Sequence, residues 1–307
     1  MTKAHPPLAP GVWGILATPF DGPVGPVDVA SLVTQIALYS KVGARGVVAV
    51  GVFGEAAKLS ASERREVIAA TADTSEHLGI VIGLTPLATS PAIEQAQAAV
   101  DGLGDRLTGV MVQVNSSSPD LVIEHLGAIH SATGAGIVLQ DYPKISGIHI
   151  GSDSLVEILD ACPYIVAVKA EAPPTPVAIA GLTRATDIPI FGGLGGVGLI
   201  DELAAGAAGA MTGFSYPEGL VAAVDAFQAD GFAAAHRAFA PWLPIANFES
   251  QEGLALTLRK AILHARGIIA NPSPRRPAPP FPESLRATML AHLEVLGTAV
   301  PQIESGR

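Results

Sequence analysis

Apolar residues alternate along this chain between two rhythms. Short runs rich in Val and Ile, such as Gly46-Val47-Val48-Ala49-Val50 and Ile165-Val166-Ala167-Val168-Lys169, are continuous rather than alternating. That is the pattern of parallel strands covered on both faces. Longer stretches follow in which apolar positions recur at helical spacing. On this basis strands are predicted at Gly11–Ala17, Gly46–Val50, Ile80–Gly83, Gly109–Val114, Gly136–Gln140, Ile165–Lys169, Ile188–Phe191 and Gly209–Thr212. Helices are predicted at Val27–Val42, Ser60–Leu78, Ser90–Leu103, Pro119–Thr133, Ser152–Ala161, Thr175–Ala185, Leu199–Ala205 and Gly219–Ala229. Ser60, with Glu63 three residues on, carries a capping-box signature.

Eight strand–helix units match the count of a TIM barrel. A doubly wound sheet is the rival, but it usually carries a phosphate-binding glycine loop after its first strand, and here Thr18-Pro19-Phe20 stands there. Two G-A-x-G-apolar repeats, Gly43 to Val47 and Gly206 to Ala210, each end a helix on glycine and start the next strand. The expected fold class is therefore α/β, a (β/α)8 TIM barrel over residues 8–229, with a C-terminal helical extension over 230–300. In the extension, Phe232–Leu243, Gln251–Arg266 and Pro282–Leu296 read as helices, and the proline-rich Asn271–Phe281 separates the last two.

Composition narrows the function. At 49% hydrophobic and 15% charged, the chain can build a large core and does not read as disordered. A net charge of −10, with Pro274-Arg275-Arg276-Pro277 as the densest basic cluster, argues against a nucleic-acid partner. The single cysteine, Cys162, excludes an internal disulfide framework and a cysteine-based zinc site, and it reads as a packed, inert thiol. The eight histidines show no H-x-x-x-H spacing, so no metal is indicated, and no cofactor is called for. No signal-type or membrane-spanning apolar run is present, so a cytoplasmic protein without a membrane partner is expected.

TIM-barrel sites lie at the C-terminal ends of the strands. Lys169 ends strand 6. An amine among apolar walls has its charged form disfavoured by desolvation, so its neutral form can attack a ketone to give a Schiff base. Glu171, two residues on, shares its face if the strand geometry persists. It could move protons beside such an imine, or simply pair with Lys169. The loop Gly51-Val52-Phe53-Gly54-Glu55 can turn backbone N–H groups toward an anion or can be a tight turn. At the end of strand 5, Gln140 and Tyr142 share one face and Asp141 takes the other, without the spacing saying which face is the lumen. Asn115-Ser116-Ser117-Ser118-Pro119 can cap the next helix or bind a hydroxylated substrate. Glycines 192, 193, 195 and 196 after strand 7 leave room for a ligand at the backbone.

As an ordered set these residues resemble the dihydrodipicolinate synthase / N-acetylneuraminate lyase family. The resemblance rests on Ala17-Thr18-Pro19-Phe20, the G-x-x-G-E loop at 51–55, Pro143 with Gly147, and Lys169. It implies a (β/α)8 Schiff-base enzyme, a homo-oligomer (dimer or tetramer), acting on a small-molecule 2-oxo acid. Lys169 would form the imine, and the Val52 and Phe53 amides would hold the substrate carboxylate. Typical members carry Thr or Ser at 52 and 53 and a tyrosine where Gln140 stands, and the arginine used by the synthases would fall at Ile145. Gln140 cannot titrate. The Q-D-x-P and K-x-E motifs, with Met211-Thr212-Gly213-Phe214 and Tyr216-Pro217-Glu218, are instead similar to the 2-keto-3-deoxy-L-arabonate dehydratase type. That type implies dehydration of a 2-keto-3-deoxy sugar acid to a dioxo acid, with Lys169 and Glu171 catalytic and Ser116, Gln140 and Gly193 near the substrate. The alternatives are a pyruvate-dependent aldolase of the same family, and a non-catalytic 2-oxo-acid-binding barrel.

Overall fold

The Val- and Ile-rich runs pair side by side until they meet. In a computed structural model that describes residues 5–74 and 77–299, they form β1 (Gly11–Ile15), β2 (Gly46–Ala49), β3 (Gly79–Gly83), β4 (Leu107–Gln113), β5 (Ile137–Asp141), β6 (Ile165–Ala170), β7 (Ile190–Gly192) and β8 (Gly209–Thr212). All neighbours are parallel, and β8 pairs back onto β1 from Gly11↔Gly209 to Gly14↔Thr212, closing the barrel. Outside it run α1 (Val29–Lys41), α2 (Ala61–Thr74), α3 (Thr89–Leu103), α4 (Pro119–Thr133), a one-turn α5 (Pro143–Ser146), α6 (Ser152–Ala161), α7 (Thr175–Thr183), α8 (Leu199–Ala204) and α9 (Pro217–Asp230). The extension adds α10 (Phe232–Phe239), α11 (Leu243–Phe248), α12 (Ala255–Ala265) and α13 (Arg286–Ala299). Among the described residues no helix is long and apolar enough to cross a membrane.

Several boundaries differ from the sequence reading, each for a local reason. The first strand stops at Ile15 instead of Ala17 because the Gln35 side chain of α1 occupies both backbone groups of Ala17, at 2.8 and 3.0 Å. Strand 7 begins at Ile190 because Pro189 has no N–H to give to a ladder. The helix expected over Phe232–Leu243 ends at Phe239, and a separate α11 starts at Leu243 with Pro244 in its first turn, where a missing N–H costs nothing. The capping box is as expected. Ser60 N–H donates to Glu63 Oε2 at 2.9 Å, and Glu63 N–H donates to Ser60 Oγ at 3.2 Å.

Two features make the C-terminal mouth the open end. Trp13 fills the other end of the lumen and donates its indole N–H to Ala9 O at 2.9 Å. A Cβ at Gly46 or Gly79 would lie 2.2 or 2.5 Å from its ring, so β2 and β3 must start with glycine. The extension packs its own apolar cluster, including Phe239, Trp242, Leu258 and Ile262, against Val12, Ala210 and Phe214 beside β8 and β1. It thereby brings α12 to the mouth.

Candidate active site

Pleating decides what faces the lumen. Val168 and Ala170 pack in the layer beneath the helices, so Lys169 between them points inward, level with Gln140 on β5 and Phe191 on β7. Glu171 N–H donates to Asp141 O at 2.8 Å, which carries the ladder one residue past β6 and keeps Glu171 on the face of Lys169. Both side chains are buried, and Lys169 Nζ lies 2.9 Å from Glu171 Oε2. Gln140 Nε2 donates to the same oxygen at 2.7 Å, and Leu194 N–H donates to Oε1 at 3.3 Å. Gly193 backs the carboxylate, where any Cβ would stand 2.4 Å from Oε1. A primary amine and a tethered carboxylate thus meet in a low-dielectric barrel mouth, which suits imine formation and proton transfer at the adjoining carbon.

A cavity of about 560 Å³ opens above this pair. Val52, Phe53, Gln140, Tyr142, Leu194, Thr212 and Arg259 help to line it. Val50 and Glu55 take positive φ (48° and 56°) on either side of the 51–54 turn, and Thr18 Oγ1 donates to Gly54 O at 2.6 Å. Among the described residues none accepts a hydrogen bond from the Val52 or Phe53 N–H. Burial first, and the Glu171 charge second, raise the pKa of the Tyr142 phenol above its ordinary value.

Not every expected residue comes to the cavity. Ser116 lies outside it, and its Oγ accepts the Ser118 N–H at 3.1 Å in a local turn. Asn115 Nδ2 donates to Leu87 O. Asp141 takes the face opposite Gln140 and is buried, with Oδ1 lacking a hydrogen-bond partner. Burial, followed by the Glu171 charge, pushes its carboxyl up to about 6, against an opposing pull from His149. Behind β7, Glu202 accepts the Thr175 hydroxyl at 2.6 Å, and burial pushes it up to about 7.

The sequence reading missed Arg259. It reaches the mouth from α12, nearly buried, with its guanidinium carbon 5.0 Å from the Phe53 ring centre. Its one signal in the sequence is the basic pair Arg259-Lys260 inside the mostly apolar Ala255–Ala265. Charges on an apolar helix face require partners.

The chain matches the dihydrodipicolinate synthetase family over residues 9–296. It is 27% identical over 304 residues to the L-2-keto-3-deoxyarabonate dehydratase of Azospirillum brasilense, covering 95% of this chain and 96% of that one. It is 30% identical over 260 residues to the 4-hydroxy-tetrahydrodipicolinate synthase of Corynebacterium aurimucosum, covering 82% and 83%. The crystal structure of dihydrodipicolinate synthase from Rhodopseudomonas palustris superposes with a TM-score of 0.87 at 27% identity, covering 94% of this chain and 98% of that one. With its lysine-bearing sixth strand and closed eight-stranded barrel, the chain belongs to the dihydrodipicolinate synthetase family.

Proposed function

We propose that this protein is a Schiff-base hydro-lyase that dehydrates a 2-keto-3-deoxy sugar acid, of the 2-keto-3-deoxyarabonate kind, to a dioxo acid. The observation that carries the reading is the Lys169–Glu171–Gln140 cluster, in which a carboxylate touches the amine and a glutamine stands beside them. Similarity to a 2-keto-3-deoxyarabonate dehydratase along nearly both full chains supports it.

The steps follow from that geometry. Glu171 takes a proton from the Lys169 ammonium, and the free amine attacks the C2 ketone. The same proton leaves with the C2 oxygen as water, giving the imine and restoring the Glu171 carboxylate. The cationic imine acidifies C3, and Glu171 removes a C3 proton to give an enamine. The enamine expels the C4 hydroxyl, which takes the proton from Glu171 and departs as water. Glu171 then takes a C5 proton from the conjugated imine and returns it at C3, leaving a C4–C5 enol; a water hydrolyses the imine to free Lys169, and the enol tautomerises to the second carbonyl. One water is lost overall. The free Val52 and Phe53 N–H groups receive the C1 carboxylate, and Gln140 holds Glu171 in line.

The aldolase reading draws on Tyr142, whose phenol lines the same cavity. Product analysis with 2-keto-3-deoxyarabonate separates the two. A dioxo acid without pyruvate is expected, whereas free pyruvate with an aldehyde would replace the dehydratase by the aldolase.

A further inference from the structure

The ring of strands limits where the far end of a bound 2-oxo acid can lie. β6 carries Lys169 and Glu171, β2 stands opposite it, and β5 and β7 flank it. With C2 on Lys169 and the C1 carboxylate on the amides after β2, the carbons beyond C3 lie on the β6 side, between the ends of β5 and β7. The turn after β7, Gly193-Leu194-Gly195-Gly196, has no polar side chain. The end of β5 has Tyr142, which lines the cavity.

Tyr142 stands two residues beyond Gln140, whose amide holds Glu171 at 2.7 Å. Two residues of extended chain span roughly 7 Å, which sets Tyr142 toward the mouth from the reacting pair. Its backbone is fixed, because Pro143 opens α5 and the Tyr142 carbonyl accepts the Ile145 and Ser146 N–H groups, both at 3.0 Å. Its phenol oxygen, by contrast, has no hydrogen-bond partner among the described residues. Burial, and then the Glu171 charge, raise its pKa, so the group stays a donor near neutrality. Other polar side chains on the wall are already engaged. Lys144 pairs with Glu252 at 2.8 Å, Arg259 with Glu249 at 3.0 Å, and Thr212 Oγ1 accepts the Gly195 N–H at 2.8 Å. A free phenol close to the Glu171 carboxylate suits a neutral hydroxyl rather than a second anion.

We propose that Tyr142 binds the C5 hydroxyl of the substrate, so that the protein prefers 2-oxo acids hydroxylated at that carbon. The inference rests on the Schiff-base orientation proposed for this cavity and not on which bond breaks afterwards.

Two probes test it, 5-hydroxy-2-oxopentanoate and 2-oxopentanoate, which differ only in that hydroxyl and have no C4 hydroxyl to lose. Each is titrated by calorimetry into the wild-type protein and into Tyr142→Phe. Comparing one acid across the two proteins cancels differences between the free acids, ring closure of the hydroxy acid included. Tyr142→Phe should weaken 5-hydroxy-2-oxopentanoate about three- to tenfold, the scale of one neutral hydrogen bond, and leave 2-oxopentanoate within about twofold. The variant loses one oxygen that has no partner in the protein, so its melting temperature should match that of the wild type. Equal weakening of both acids, or of neither, would overturn the proposal. Borohydride reduction of the same mixtures keeps the two readings apart. Selective weakening of the hydroxy acid without an adduct on Lys169 sinks the Schiff-base reading and keeps Tyr142, whereas an adduct on Lys169 without selective weakening sinks Tyr142 alone.

Discussion

At the scale of single residues, Glu171 is expected to move protons while Gln140 and the Leu194 N–H hold it still. Glu171→Gln keeps the size and one acceptor but removes the titrating group. Dehydration should then fall about 10²- to 10⁴-fold, with pyruvate binding little changed in calorimetry. Turnover within about tenfold of wild type would remove Glu171 from that role. Asp141 gives a second prediction, one of stability. Its folded-state pKa of about 6 lies above the ordinary aspartate range, so folding favours the protonated form. The resulting penalty is full above pH 6 and disappears as the pH falls below the unfolded value of about 4. Asp141→Asn should therefore raise the melting temperature at pH 7.5, by a few degrees, and lose that advantage by pH 4. A gain that persists at pH 4 would point to packing rather than charge.

At the scale of elements, α12 and the loop after β2 act as one unit. Lys260 Nζ sits 2.5 Å from Glu55 Oε1 with both side chains buried, and the Arg275 N–H and Lys58 Nζ complete the shell around Glu55 Oε2. Burial pulls the Lys260 amine down to about 8, against the attraction of Glu55. Removing one partner leaves a buried charge alone, so Lys260→Met should cost on the order of 3–5 kcal/mol in chemical denaturation. It should also raise KM for the keto acid, because Glu55 anchors the turn that presents the Val52 and Phe53 amides. Pairing it with Glu55→Gln should recover part of the stability. A single variant as stable as wild type would contradict this coupling. Contacts of this kind explain what the sequence hid. Hydrophobic period reads local structure, so it found β6 and the alternation that puts Lys169 and Glu171 on one face. It had no access to Gln35 stopping β1, or to Arg259 arriving beside a loop some two hundred residues earlier in the chain. Ser116 shows the converse, a polar residue at a strand end whose hydroxyl serves its own turn.

At the scale of the whole molecule, Trp13 fills the lower end of the barrel and the extension walls the mouth, where the cavity over Lys169 lies. Eight strand periods made that architecture readable from sequence, because each repeats the same two-sided burial. Reading the site was harder, since its wall is assembled from β2, β5, β6, the turns after β7 and β8, and α12. The whole reading stands or falls on whether Lys169 forms an imine with a 2-oxo acid. Borohydride reduction in the presence of pyruvate, followed by peptide mass mapping, tests it directly. One stable adduct on the peptide carrying Lys169 is expected, abolished by Lys169→Arg. Measurable pyruvate binding with no adduct, or an adduct on another lysine, would contradict it.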